Sequence, residues 1–311
     1  MKSLHILNGD STLRLFEKSG LQGEAIVWRE IMCEGPTLTN VHNPDFWELR
    51  KSFLQNYSPK AHEKYYPKLY EEFYHLKVEN WEEITLWFEY DLFCQLNMLA
   101  VLTLLAGKEV GSYPKLSLIC VGKEGEEKKM KGLGEFPAEE YPDLFKKRRT
   151  LSSHDLEFAR EVWKLYSSGK QQAIISFLAI HSNPAFPYIL PAMKAHLQRY
   201  PQKIHGLNEI EAFVLESLNQ EAQSMHQLVG RLLRRENYYG FGDLQYVEMV
   251  EELSPLYTQF GGKLELNEKG QSIAQAQESF MPFRKRNPQY GQNQLSDYYW
   301  EADEILENDG E

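Results

Sequence analysis

Residues 5–11, HILNGDS, run a short apolar segment into a polar turn. An apolar run bounded by Asn-Gly-Asp-Ser reads as a buried strand, and the helical stretch TLRLFEKSG follows it, with Gly20 placed to stop the helix. The same alternation continues outward along the chain. EAIVW (24–28), EITLWF (83–88) and KLSLICV (115–121) read as three more strands. Between them lie a tyrosine-rich helical region over 45–76, with Tyr65, Leu69 and Phe73 one turn apart, and an apolar helix over 92–106. Apolar strands separated by helices predict an α/β fold. The expected sheet is open and mostly parallel, of about four strands, Rossmann- or flavodoxin-like, with helices on both faces.

Composition narrows the function classes. The chain has 311 residues, 42% of them hydrophobic and 25% charged, which suits a globular protein with a real core. Its formal net charge of -11 repels phosphate backbones and anionic lipid, so neither nucleic acid nor a membrane surface is an expected partner. The 3 cysteines, Cys33, Cys94 and Cys120, form no CxxC pair and no disulfide framework. The longest apolar run, LNMLAVLTLLAG over 96–107, is too short to span a bilayer, and the first residues lack the apolar region of a signal peptide. A reducing, cytoplasmic setting is the expectation.

Four regions follow from the pattern: an α/β ligand-binding domain over 1–135, a helical connector over 136–205, a winged-helix-like domain over 206–280 and an aromatic, then acidic tail over 281–311. The third region rests on three amphipathic helices (NEIEAFVLESL, MHQLVGRLLRRE and DLQYVEMVEELS) followed by KLELNEKGQSIA, a strand leading into a short helix. DNA binding by such a unit needs a basic recognition surface. Here the third helix is acidic, and only Arg231, Arg234 and Arg235 make a basic patch, so packing against a protein partner is the expected use.

Ligands of open α/β sheets bind beyond the carboxyl ends of the strands, where strand order reverses. Three strand ends are polar: Asn8, Gly9, Asp10 and Ser11; then Arg29 and Glu30 with Glu34 shortly after; then Glu89 and Asp91 with Gln95 one turn on. With strand order 2-1-3-4, the first and third strands flank the reversal, which sets Asp10 against Glu89 and Asp91 with Arg29 alongside. Each residue also has a plain structural reading. Asp10, Ser11 and Asp91 stand where helix caps stand, Gly9 can serve a tight turn, and Arg29 with Glu30 can form a surface ion pair.

As a functional set, Asp10, Glu89 and Asp91 are the catalytic candidates, and Asn8, Gly9, Ser11, Arg29, Glu30, Glu34 and Gln95 the ligand-binding ones. Two chemistries fit them. Converging carboxylates can hold a divalent cation such as Mg²⁺ while Arg29 and helix N-termini hold a phosphate. Alternatively, a carboxyl pair with separated pKa values can move protons without metal. No GxGxxG, P-loop or GxSxG motif is present, and the glycine loop KGLGEF (131–136) matches no phosphate signature. His42, His62 and His75 lack metal-ligand spacing. An enzyme, a hydrolase or transferase of phosphorylated or nucleotide-like small molecules, competes with a non-catalytic ligand-sensing or protein-interaction module.

HILNGDS, VWREIMCEGP and LWFEYDLFCQLNMLAVL together resemble the bacterial family called domain of unknown function 1835. ILPAMKAHLQRYPQKIHGLNEIEAFVL, GFGDLQY and YYWEAD are similar to its usual C-terminal companion, domain of unknown function 3658. The resemblance implies the two-part architecture and a site at Asn8, Gly9, Asp10, Ser11, Arg29, Glu30, Glu34, Gly35, Pro36, Glu89, Asp91 and Gln95. It implies no reaction. Cys94 stands where the family pattern has an aspartate.

Overall fold

The computed structural model describes residues 2–57, 63, 67, 72, 76, 81–106, 114–123, 129–235, 238–301 and 304–308. The four read strands are β1 (Ser3–Leu7), β2 (Glu24–Val27), β4 (Glu83–Glu89) and β5 (Lys115–Val121), with a two-residue strand β3 (Gly35–Pro36) between the second and third. They pair in the order β2-β1-β4-β5, all parallel, and β6 (Arg149–Thr150) adds a short antiparallel edge to β5. This is the expected reversal: β1 and β4 are neighbours, and β1 leads outward to β2 while β4 leads outward to β5. Leu7 lies opposite Trp87, and Glu89 opposite Val121, so the strand ends share one edge.

α1 (Asp10–Lys18) packs on β1 and β2, α2 (Pro44–Tyr57) packs on β3, and α3 (Leu92–Leu105) follows β4. α3 is apolar all round and buried almost throughout, as a helix enclosed by other elements must be. It packs on β4 and against two later helices, α5 (Ser153–Ser167) and α7 (Ile189–Leu197), which follow α4 (Tyr141–Lys146) and flank α6 (Gln171–Ile180). On the opposite face, Leu7, Phe16, Trp87, Ile119 and Val121 close against Leu133, Phe136, Tyr141 and Leu144. α2 covers the first part of the helical region read over 45–76. Tyr65, Leu69 and Phe73, and His62 and His75 with them, lie outside the described residues.

His5, buried in β1, shows how tightly that second face is packed. Trp87 Nε1 donates to His5 Nδ1 at 3.1 Å, and His5 Nε2 meets the Gln22 carbonyl at 3.3 Å. Burial lowers its pKa to about 4, so the ring stays neutral near pH 7.

Residues 206–280 form α8 (Glu209–Gln220), α9 (Met225–Arg234) and α10 (Asp243–Glu252), then an antiparallel hairpin of β7 (Tyr257–Phe260) and β8 (Lys263–Leu266), then α11 (Glu268–Ala274). Gln223 bridges to Leu264 and ties the hairpin to the end of α8. The aromatic tail is also ordered into strands, which its sequence pattern did not indicate. β9 (Gln289–Gly291) pairs with β10 (Asn293–Gln294) and, in parallel, with β3; β11 (Tyr298–Glu301) pairs with β12 (Glu304–Glu307). One apolar cluster runs from Leu4 in β1 to Phe280, joining the sheet to the helices that follow it. No helix among the described residues is long and apolar enough to cross a membrane.

Candidate functional site

The turn after β1 is not capped by its polar side chains. Gly9 occupies the cap position of α1 in extended backbone, and no side-chain cap bond to the first turn is present among the described residues. Asp10 instead reaches sideways to Arg29, Nη2 to Oδ1 at 2.8 Å, and Ser11 is exposed. The first turn of α1 therefore keeps its partial positive charge for solvent or a ligand. Asn8 points inward, donating to Cys94 Sγ at 2.8 Å and accepting from Asn97 Nδ2 at 2.9 Å. Asn97 also donates to the Glu30 carbonyl at 2.7 Å and accepts from the Met32 amide at 3.0 Å, stitching the ends of β1 and β2 to α3. An asparagine inside the apolar run LNMLAVL was the sequence signal for this role.

Arg29 sits between two carboxylates. Besides Asp10, its Nη1 donates to both oxygens of Glu72, at 2.7 and 2.8 Å, and burial raises the Glu72 pKa. Two carboxylates on one guanidinium leave its charge neutralised, so phosphate binding at Arg29 would require one of them to move. Glu30 and Glu34 turn away from the sheet edge into buried ion pairs. Glu30 Oε2 accepts from Arg50 Nη2 at 2.8 Å, and Arg50 also holds the carbonyls of Ile31, Glu34 and Pro36. Glu34 pairs with Arg199 of the region following α7. Neither arginine was singled out by the sequence, because each partner lies beyond the reach of local pattern.

Glu89, Asp91 and Cys94 do converge, with one ligating atom of each within 4.8 Å of the others. Asp91 caps α3, its Oδ1 accepting the Cys94 amide at 2.8 Å, and it is buried. Gln95 Nε2 donates to the Glu89 carbonyl at 2.6 Å and to Cys120 Sγ at 3.3 Å, while its buried Oε1 has no partner among the described residues. Glu89 is only half-buried, and its carboxyl is pushed up to about 8, first by desolvation and then by the charge of Asp91. A backbone hydrogen bond from Leu133 works the other way. Burial also raises Asp91 and the Cys94 thiol. Two carboxyls this close cannot both ionise cheaply, so the pair holds a proton into the neutral range. As a metal site the set is mixed. Sulfur suits a borderline ion such as Zn²⁺, whereas Mg²⁺ would use the two carboxylates alone.

The loop at 238–240 closes over this corner. The Tyr238 and Tyr239 carbonyls accept the Leu92 and Phe93 amides, at 2.6 and 3.2 Å. Gly240 follows with φ 70°, and a Cβ there would stand 2.2 Å from Asp91 Oδ1. Gly240→Ala is expected to cost about 1–3 kcal/mol, from strained backbone plus displacement of the Asp91 carboxyl. A denaturant midpoint unchanged from wild type would show that the loop does not press on Asp91.

The predicted residues thus divide. Asn8, Glu89, Asp91 and Gln95 share one corner at the reversal of strand order. Asp10 and Arg29 form an ion-paired cluster with Glu72, Gly9 and Ser11 open α1, and Glu30 and Glu34 brace the fold. Cys94, Asn97 and Cys120 complete the corner. Comparison with protein-family models and with curated proteins yields no match.

Proposed function

We propose that the protein is an enzyme for a small molecule held at the carboxyl edge of the sheet, with Glu89 as the group that gives and takes the proton. The observation that carries this reading is the grouping of the half-buried Glu89 carboxyl with buried Asp91 and Cys94 at the point where strand order reverses, where burial and the charge of Asp91 push Glu89 up to about 8. The substrate class is a phosphorylated or nucleotide-like molecule, and the reaction a hydrolysis or group transfer. The uncapped first turn of α1 supports an anionic group on the substrate better than the twice-paired Arg29 does. Asp91 serves as the positioning carboxylate that keeps the Glu89 proton in place. The likeness to domain of unknown function 1835 belongs to the same proposal, as does a cytoplasmic setting, which three free cysteines support.

A panel of phosphate esters and nucleotides, assayed with and without Mg²⁺ or Zn²⁺, tests it. Turnover of at least one compound is expected, with a rate that follows the deprotonation of a group near pH 8. No turnover and no thermal shift across the whole panel would overturn it. A second reading, a ligand-sensing module that docks a protein through residues 206–280, is favoured by the exposure of Leu233, Leu244 and Phe260, the last 89% exposed at a hairpin tip. That region also has the helix order of a winged helix, but its charge opposes DNA. Arg235 is paired with Glu209, and α10 presents Asp243, Glu248 and Glu251.

A further inference from the structure

A cavity of about 360 Å³ lies between the Glu34–Gly35 turn, the end of α2, α10 and the segment over 284–295. It shares no lining residue with the Glu89 corner. Phe53, Tyr57 and Tyr290 give it aromatic walls, and the Phe53 and Tyr57 rings stand 5.1 Å apart. That volume and lining fall in the range of small-ligand sites.

Its charged groups are mostly spent. Arg284 is held by Glu211, with Nη1 to Oε1 at 2.7 Å, and Arg286 by Glu252 and Glu248. No lining arginine is left over for a phosphate. Three polar groups do remain. Gln245 Oε1 accepts the Gly242 amide at 3.0 Å, but its buried Nε2 has no partner among the described residues. Glu34 uses Oε1 for Arg199, and its other oxygen carries no hydrogen bond among the described residues. The Tyr57 hydroxyl likewise has none among them. A buried amide donor left unmade costs free energy that a ligand acceptor would recover.

We propose that this cavity binds an uncharged planar heterocycle of the nucleobase type, stacked on the aromatic walls. Gln245 Nε2 donates to a ring carbonyl or ring nitrogen, and the free oxygen of Glu34 accepts a ring or amino N–H. Aromatic stacking tolerates any base, whereas a donor beside an acceptor reads its edge. The paired arginines favour the nucleoside over the nucleotide.

Isothermal titration of the full chain with adenosine, guanosine, cytidine and uridine tests the site. At least one is expected to bind with one-to-one saturation. Gln245→Glu keeps the acceptor for the Gly242 amide but removes the donor, and is expected to weaken that binding fivefold or more. Tyr57→Phe, which keeps the ring, is expected to leave stacking and retain saturable binding. Absence of saturation by all four nucleosides at millimolar concentration overturns the proposal, and so does a Gln245→Glu effect below fivefold. Loss of binding in Glu89→Gln with none in Gln245→Glu would move the heterocycle to the other corner and overturn it as well.

Discussion

Arg50→Ala is expected to destabilise the protein by about 3–5 kcal/mol, the usual cost of stripping one partner from a buried ion pair. Arg50 and Glu30 are both fully buried, and Glu30 Oε1 already lacks a hydrogen bond among the described residues. Without the guanidinium, the Glu30 carboxylate would lose its only described cation, and the carbonyls of Ile31, Glu34 and Pro36 would lose their donors together. The double change Glu30→Gln with Arg50→Met should recover much of the loss, because it removes the stranded charge. Urea unfolding of the three proteins measures this. A single variant within 1 kcal/mol of wild type, on the scale of an exposed pair, would show that the pair is hydrated and that Glu30 is free for a ligand.

The second large effect concerns Glu89. Its carboxyl takes up a proton far more readily in the folded chain, near 8, than the unfolded value of 4.5. Folded protein therefore holds more protons than unfolded protein between those two values, and stability must fall as pH rises through that window. The contribution is complete below about 4.5 and gone above about 8, with a slope of up to about 1.4 kcal/mol per pH unit. In Glu89→Gln the neutral amide replaces the neutral acid, so this slope should vanish and the variant should gain on wild type at pH 9. The same change removes the titratable carboxyl that catalysis needs, and a loss of 10² or more in kcat is the expected scale. Unfolding curves at pH 5, 7 and 9 separate the two consequences. Parallel pH profiles for wild type and variant would mean that Glu89 is an ordinary solvated carboxyl.

What could be read from sequence follows the range of the forces involved. β1, β4 and β5 are buried on both faces, so their apolar runs announce them, and Asp91 heads an apolar helix where a cap must stand. The corner of Asn8, Glu89, Asp91 and Gln95 was accessible for that reason: all four stand next to elements with strong local signals. Arg29 was correctly placed at an edge, but Glu72, its second partner, stands in a helical stretch with no mark to distinguish it. Glu30 and Glu34 looked like edge residues because they follow β2. Their partners, Arg50 and Arg199, are separated from them by 20 and 165 positions, and nothing in a charge pattern links such pairs. The tail escaped for a similar reason. β9 is three residues long and gains its order from β3, a two-residue strand that has no periodicity at all.

That last pairing bears on how the chain is made. Gln292 Nε2 bonds the Thr37 carbonyl at 2.6 Å across 255 positions of sequence. During vectorial synthesis the N-terminal sheet emerges early, yet the turn that carries Glu34 must wait for some 250 further residues before its strand neighbour exists. Contacts of such separation are slow to close and leave apolar surface uncovered in the interval. Changes near 289–294 are therefore expected to lower the yield of folded chain before they alter the finished protein.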